Sequence, residues 1–223
     1  MKAVFFDLFE TLITEKTRKD FQTRAPFHER LGTTKDKSSL WWAENGDAAM
    51  TGRFSDCLAH FTDLCAAVKS PLTKDEIVMA AQEHEVWKSK VLSCVEPQIF
   101  EMLRAVQARG LKVGLISNAL PEEVLAWRFC PLQDHVDPVV FSCSVGVMKP
   151  DREIYKLACA RMRVQPSEVY FVGDGGYDEL QGAASVGMRA VQAAWYQDRD
   201  VEWSCTSPLV RANSITDLPE LLC

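Results

Sequence analysis

Separate stretches of this 223-residue chain end in residue types that can act on an anion: Asp7, Ser117-Asn118, Lys149, and Asp174 with Asp178. Each has an ordinary explanation when taken alone. A carboxylate at a strand end or among glycines is a common turn residue, a serine there is a common helix cap, and a loop lysine is usually solvated. Together they compose a site for an anion held beside a divalent cation. Asp7 and Asp174 are hard oxygen ligands of the kind Mg2+ takes, a cation that uses one or two carboxylates and keeps several waters. Asp178, four residues on at the start of a helix, would position those waters. Ser117 and the amides after it, with Asn118, would hold an anionic oxygen at a helix N-terminus. Lys149 would set positive charge against the crowded carboxylates and against charge developing in a reaction. Asp7 is then available as a nucleophile.

The flanking sequence supplies elements that would bring these residues together. Ala3-Val4-Phe5-Phe6, Lys112–Ile116, Val139-Val140-Phe141 and Val169–Val172 are short apolar runs rich in β-branched and aromatic residues, the signature of strands buried on both faces. Each is followed by one of the polar stretches. Arg189–Gln192 predicts a further strand. Helical periodicity appears between them, over residues 98–109, 121–129, 151–162 and 178–186, with Gly110 and Gly187 placed as terminators. Strand–helix alternation predicts a parallel sheet with helices on both faces, and strand ends in such a sheet share one rim. Residues 15–92 read as helices without strands: Arg53–Lys69 is apolar at Phe54, Cys57, Leu58, Phe61, Leu64, Cys65 and Val68, and Thr73-Lys74-Asp75-Glu76 has capping-box spacing. The expected organisation is a Rossmann-like core over 1–14 and 93–223, interrupted by a helical domain over 15–92. Residues 197–213 carry the weakest pattern and read as loop. Ile215, Leu218 and Leu221 would pack a terminal helix onto the sheet.

Composition narrows the function classes. With 25 basic against 31 acidic residues the formal charge is −6, which disfavours a mainly electrostatic nucleic-acid or anionic-membrane binder. No stretch approaches the roughly 20 apolar residues of a membrane span, and Asp7 and Glu10 interrupt the N-terminal apolar run before signal-peptide length. Cys57, Cys65, Cys94, Cys130, Cys143, Cys159, Cys205 and Cys223 are scattered without a Cys-x-x-Cys pair, which reads as buried reduced thiols in a cytoplasmic protein. His28, His60, His84 and His135 lack metal-ligand spacing and read as surface or packing residues.

The order and separation of four motifs resemble the haloacid dehalogenase superfamily of hydrolases. They are Phe6-Asp7-Leu8-Phe9-Glu10-Thr11-Leu12, Leu115-Ile116-Ser117-Asn118-Ala119, Gly146-Val147-Met148-Lys149-Pro150-Asp151 and Phe171-Val172-Gly173-Asp174-Gly175-Gly176-Tyr177-Asp178. The helical insert matches the position and type of that superfamily's cap domain. The resemblance implies attack by Asp7, a covalent aspartyl intermediate hydrolysed by water, and charge stabilisation by Ser117 and Lys149. In phosphatase members it implies Mg2+ held by Asp7, the backbone carbonyl of Phe9, and Asp174.

One position departs from the phosphatase pattern. Those members carry a second Asp two residues after the nucleophile, which protonates the leaving oxygen; here it is Phe9, and general acid–base help is worth about 10²–10⁴ in rate. Glu10 is adjacent but points elsewhere along the chain. Haloacid dehalogenases resemble the chain at this point, placing a Tyr there, and breaking a carbon–halogen bond needs no protonated leaving group. Dehalogenases, however, use no Mg2+ and generally lack the carboxylate of Asp174. Weighting the metal residues, the sequence predicts a Mg2+-dependent phosphatase of small phosphorylated metabolites, acting as a monomer or homodimer. The alternatives are a metal-independent 2-haloacid dehalogenase, or a weakly active or inactive member that binds a ligand on this scaffold. The cap would set the substrate, with Arg18, Arg24, Trp41, Trp42 and Arg53 as candidates to close over the site and hinges near Leu12–Glu15 and Ser93–Glu96.

Overall fold

The computed structural model describes residues 1–16, 21, 24–197 and 210–222. Its strands are β1 (Ala3–Phe6), β2 (Lys112–Ser117), β3 (Val139–Phe141), β4 (Val169–Gly173), β5 (Arg189–Ala193) and β6 (Val210–Ala212). They form one parallel sheet in the order β3-β2-β1-β4-β5-β6. All four residues of β1 are buried, because the strand lies mid-sheet with helices on either side. Val4 and Phe6 enter one apolar cluster with Leu103, Val106 and Val172. Ala3 and Phe5 enter the other with Ile116, Tyr155 and Phe171, the two-residue period of a strand. Gly114 opposite Phe5 is required by this packing, since a Cβ there would lie 2.3 Å from the Phe5 ring.

The helices of the core are α5 (Pro97–Ala108), α6 (Pro121–Trp127), the single turn α7 (Ser142–Val145), α8 (Arg152–Met162), α9 (Glu179–Ser185) and the short α10 (Leu218–Leu221). Between β1 and α5 lie α1 (Phe27–Arg30), α2 (Lys35–Met50), α3 (Cys57–Val68) and α4 (Lys74–Ser93). These four share their own apolar cluster, built from Leu31, Trp41, Phe61, Leu64 and Ala80 among others. The Thr73–Glu76 capping box opens α4 as its spacing predicts. At its far end Val91 and Leu92 join the core cluster, and α4 packs along α6, so the inserted helices sit over the carboxyl rim of the sheet.

Differences from the sequence reading are local. Residues 210–212, expected as loop, form β6 against β5; two of the three residues are exposed, so the strand carries little pattern. The terminal helix is one turn, with Leu218 buried, Leu221 exposed and Leu222 turned inward in its place. Leu58 lies on the outer side of α3. Cys57, Cys65, Cys94, Cys130, Cys143 and Cys159 are free, four of them buried, and burial pushes the Cys130 thiol up to about 12. Cys205 and Cys223 lie outside the described residues. Among the described residues no helix is long and apolar enough to cross a membrane.

Candidate active site

β1 is flanked by β2 and β4, with Phe6 in register with Leu115 and Val172, so the three strands end side by side. The chain diverges in opposite directions from this point, as at the ligand-binding crevice of open α/β sheets. Asp7 follows β1, and its N–H continues the ladder by donating to the Val172 carbonyl at 2.8 Å. Its carboxylate accepts a bond from the Thr11 hydroxyl at 3.4 Å and is ion-paired with the Lys149 ammonium. That same ammonium is ion-paired with Glu179, the first residue of α9. Lys149 is held by its backbone: its N–H donates to Asn118 Oδ1 at 2.8 Å and its carbonyl accepts from Asn118 Nδ2 at 2.9 Å. Tyr155 fixes the Glu179 backbone by donating its hydroxyl to that carbonyl at 2.7 Å.

Asp7, Asp174 and Glu179 each bring a carboxylate oxygen within 4.8 Å of the others. Burial raises the Asp7 carboxyl above its ordinary value; Lys149 opposes this by charge and hydrogen bonding, and Asp174 adds to it. Burial pushes Glu179 up to about 8, with Lys149 pulling against it and Asp7 adding to it. Burial alone would lower the Lys149 ammonium, but the charges of Asp7 and Glu179 outweigh it and hold the group protonated. Asp7, Asp174 and Glu179 thus bring three hard oxygen donors together beside one ammonium, a donor set of the kind that fits Mg2+.

A cavity of about 240 Å³ opens on this cluster, lined by Asp7, Phe9, Asn118, Lys149, Asp174 and Glu179, with Met50 of α2 also on its wall. The expected Asp178 is not on its wall: it is exposed, and the buried acid is the next residue, Glu179. The backbone explains the difference. Gly175, Tyr177 and Asp178 all have positive φ, a tight left-handed turn that presents Asp178 to solvent and delivers Glu179 inward. The Asp178-Glu179 doublet was the sequence signal for it. Ser117 is wholly buried at the end of β2, its hydroxyl bonds to the Asn118 carbonyl at 3.3 Å, and it is not among the residues lining the cavity. Glu10 lines the cavity edge with φ +56°, but its carboxylate accepts from Thr14 at 2.9 Å and pairs with Lys16 at 3.1 Å. No acid stands at Phe9, whose ring has the Lys88 ammonium 5.2 Å from its centre.

The cap candidates divide. Trp41 is a core residue of the inserted helices, stacked with His60 and Phe54. Arg53 lies on the outside, paired with Asp63 at 2.9 Å. Trp42 and Arg24 line a second cavity at the cap–core seam, and Arg18 lies outside the described residues.

A family model described as haloacid dehalogenase-like hydrolase matches residues 1–187, a span that contains every strand end just described. The chain belongs to the haloacid dehalogenase-like hydrolases. Relatives of this hydrolase include (S)-2-haloacid dehalogenase 4A of Burkholderia cepacia, 31% identical across 100% of this chain and 95% of the relative. Glyceraldehyde 3-phosphate phosphatase of Pyrococcus furiosus is 32% identical over 132 residues, covering 56% of this chain and 52% of the relative. Among solved structures, a 2-haloacid dehalogenase from Pseudomonas syringae superposes with TM-score 0.69 at 23% identity, covering 100% of this chain and 98% of that one, and shares the fold.

Proposed function

We propose that this hydrolase cleaves small phosphate esters with Mg2+ bound at Asp7, Asp174 and the Phe9 carbonyl, with Glu179 close by. The observation that carries the reading is the carboxylate of Asp174 brought within 4.8 Å of Asp7 and Glu179. A phosphate approaching Asp7 and Asp174 needs added positive charge, because the one ammonium lining the cavity among the described residues is already engaged by Asp7 and Glu179. Mg2+ would supply that charge and polarise the phosphoryl oxygens. Asp7 attacks phosphorus, the P–O bond to the alcohol breaks, and an aspartyl phosphate forms; water then cleaves it and restores Asp7. Lys149 orients the Asp7 carboxylate and opposes the burial that raises it, and Asn118 holds Lys149. Because Phe9 offers no proton, the departing alkoxide takes one from solvent, which favours substrates with good leaving groups. With p-nitrophenyl phosphate, Mg2+-dependent release of phosphate is expected, abolished by EDTA and by Asp7→Asn; turnover that survives EDTA rejects the reading.

A second reading rests on the full-length similarity to a 2-haloacid dehalogenase together with Phe9. Against it, Lys149 is the one cation lining the cavity among the described residues, and Asp7 and Glu179 already engage it, so a halo acid's carboxylate has no free counter-charge there. Chloride release from (S)-2-chloropropionate in EDTA would establish this alternative, and no release would remove it.

A further inference from the structure

The seam between α4 of the cap and α6 of the core encloses a cavity of about 390 Å³, within the size range of small-molecule sites. Its floor is Glu122, on the turn of α6 that follows the second motif, with a side chain 0% exposed. His60 Nδ1 lies 3.3 Å from Glu122 Oε1, and His84 Nε2 lies 3.7 Å from the same oxygen. With His60 Nδ1–H facing the carboxylate, its Nε2 is left as an acceptor. Burial, then the charges of Lys88, Arg24 and Arg30, push the His84 imidazole down to about 2, so it is neutral. Glu122 Oε2, His60 Nε2, His84 Nδ1 and Arg30 Nη2 have no hydrogen-bond partner among the described residues. Buried groups of this kind are costly to leave unmade. Arg24 lies over the Trp87 ring, 4.6 Å from its centre, at the same cavity.

We propose that this cavity binds a small carboxylate that also carries hydroxyl or amino donors. The two guanidiniums suit the carboxylate. The orphaned acceptors of Glu122, His60 and His84 suit the donors, and the Trp87 face covers the short carbon chain. Phe9 lines the catalytic cavity and Lys88 lines this one, and their 5.2 Å contact makes them the partition between the two. The cavity is a site of its own beside the catalytic one, and binding there does not rest on the phosphate-ester reading.

The test titrates the full-length protein with D-glycerate and L-serine, following the fluorescence of Trp42 and Trp87. Propionate, which lacks the donors, is the control. A saturable change with at least one of the two probes and none with propionate is expected. Arg30→Gln and Glu122→Gln should each weaken binding about 10-fold or more, and Asp7→Asn should leave it unchanged. Arg24→Gln, at a half-exposed position, decides the matter should Glu122→Gln fail to fold. No saturation with either probe, or equal binding by the folded arginine variants, overturns the proposal. Binding of D-glycerate by a protein that hydrolyses no phosphate ester would overturn the catalytic reading and leave the cavity assignment standing.

Discussion

Lys149 is 2% exposed and ion-paired with both Asp7 and Glu179, so Lys149→Met removes the charge on which two buried carboxylates depend. Methionine keeps an unbranched apolar stem near Phe171, over which the ammonium now sits 5.5 Å from the ring centre. Breaking a buried pair by deleting one partner costs about 3–5 kcal/mol. Proton uptake gives a similar figure. Without the ammonium, Asp7 escapes its uncompensated charge by binding a proton, at about 1.4 kcal/mol for each pH unit above the ordinary carboxyl value of 3.8. Because the Asp7 carboxyl is already raised with Lys149 in place, the difference from wild type is at most about 4 kcal/mol at pH 7 and under ~2 kcal/mol at pH 5. Losing Lys149 removes the charge and hydrogen bond that lower Asp7, so the folded variant holds its proton to higher pH than folded wild type, and its stability relative to wild type falls as pH rises toward 7. For a chain of this size, about 4 kcal/mol is a loss of roughly 8–16 °C in Tm. Thermal unfolding of both proteins in EDTA at pH 5, 6 and 7, followed by circular dichroism, measures it. A loss below about 1 kcal/mol at pH 7, or one that does not shrink toward pH 5, refutes the assignment of Lys149 as counter-charge.

Three further outcomes are expected. Phe9→Asp restores a proton donor and should raise turnover of alkyl phosphates by about 10²-fold or more, while p-nitrophenyl phosphate changes little; equal effects on both substrates would place the limitation elsewhere. Asp174→Asn removes one of the three carboxylates and should weaken Mg2+ binding about 10-fold or more, read as a lost Mg2+-induced rise in Tm. Gly182→Ala puts a Cβ 2.6 Å from the Pro150 carbonyl and 2.7 Å from the Tyr155 hydroxyl, and should cost about 1–3 kcal/mol in urea unfolding.

The strands that present Asp7, Asn118 and Asp174 were legible because each is buried on both faces and bounded by a polar stop. Strand β6 was not, since only Ala212 of its three residues is buried. The fourth motif was legible in Asp174 but not in Glu179. The choice between Asp178 and Glu179 depends on Tyr177 and Asp178 adopting positive φ, which ordinary side chains rarely do and no local pattern announces. The Glu122–His60–His84 group was hidden for another reason. His60 and His84 sit at helical spacings that read as core packing, and their acid lies across the cap–core seam, 62 residues from His60 in the chain. Only docking of α4 on α6 brings them together.

Within the candidate site, some groups are fixed by the core and one can adjust. Asn118 grips the Lys149 backbone with two hydrogen bonds, Tyr155 grips that of Glu179, and Thr11 and Lys149 hold the Asp7 carboxylate. Asp174 is only half-buried, and among the described residues its carboxylate accepts a single bond, from the Gly176 N–H at 3.0 Å. On the proposed reading, the nucleophile and its counter-charge are thus preorganised, which would spare reorganisation during the reaction. On that reading Asp174 would be the ligand with freedom to close on a cation. Its loss should therefore cost metal affinity while leaving the ion pairs of Lys149, and the stability they contribute in EDTA, in place.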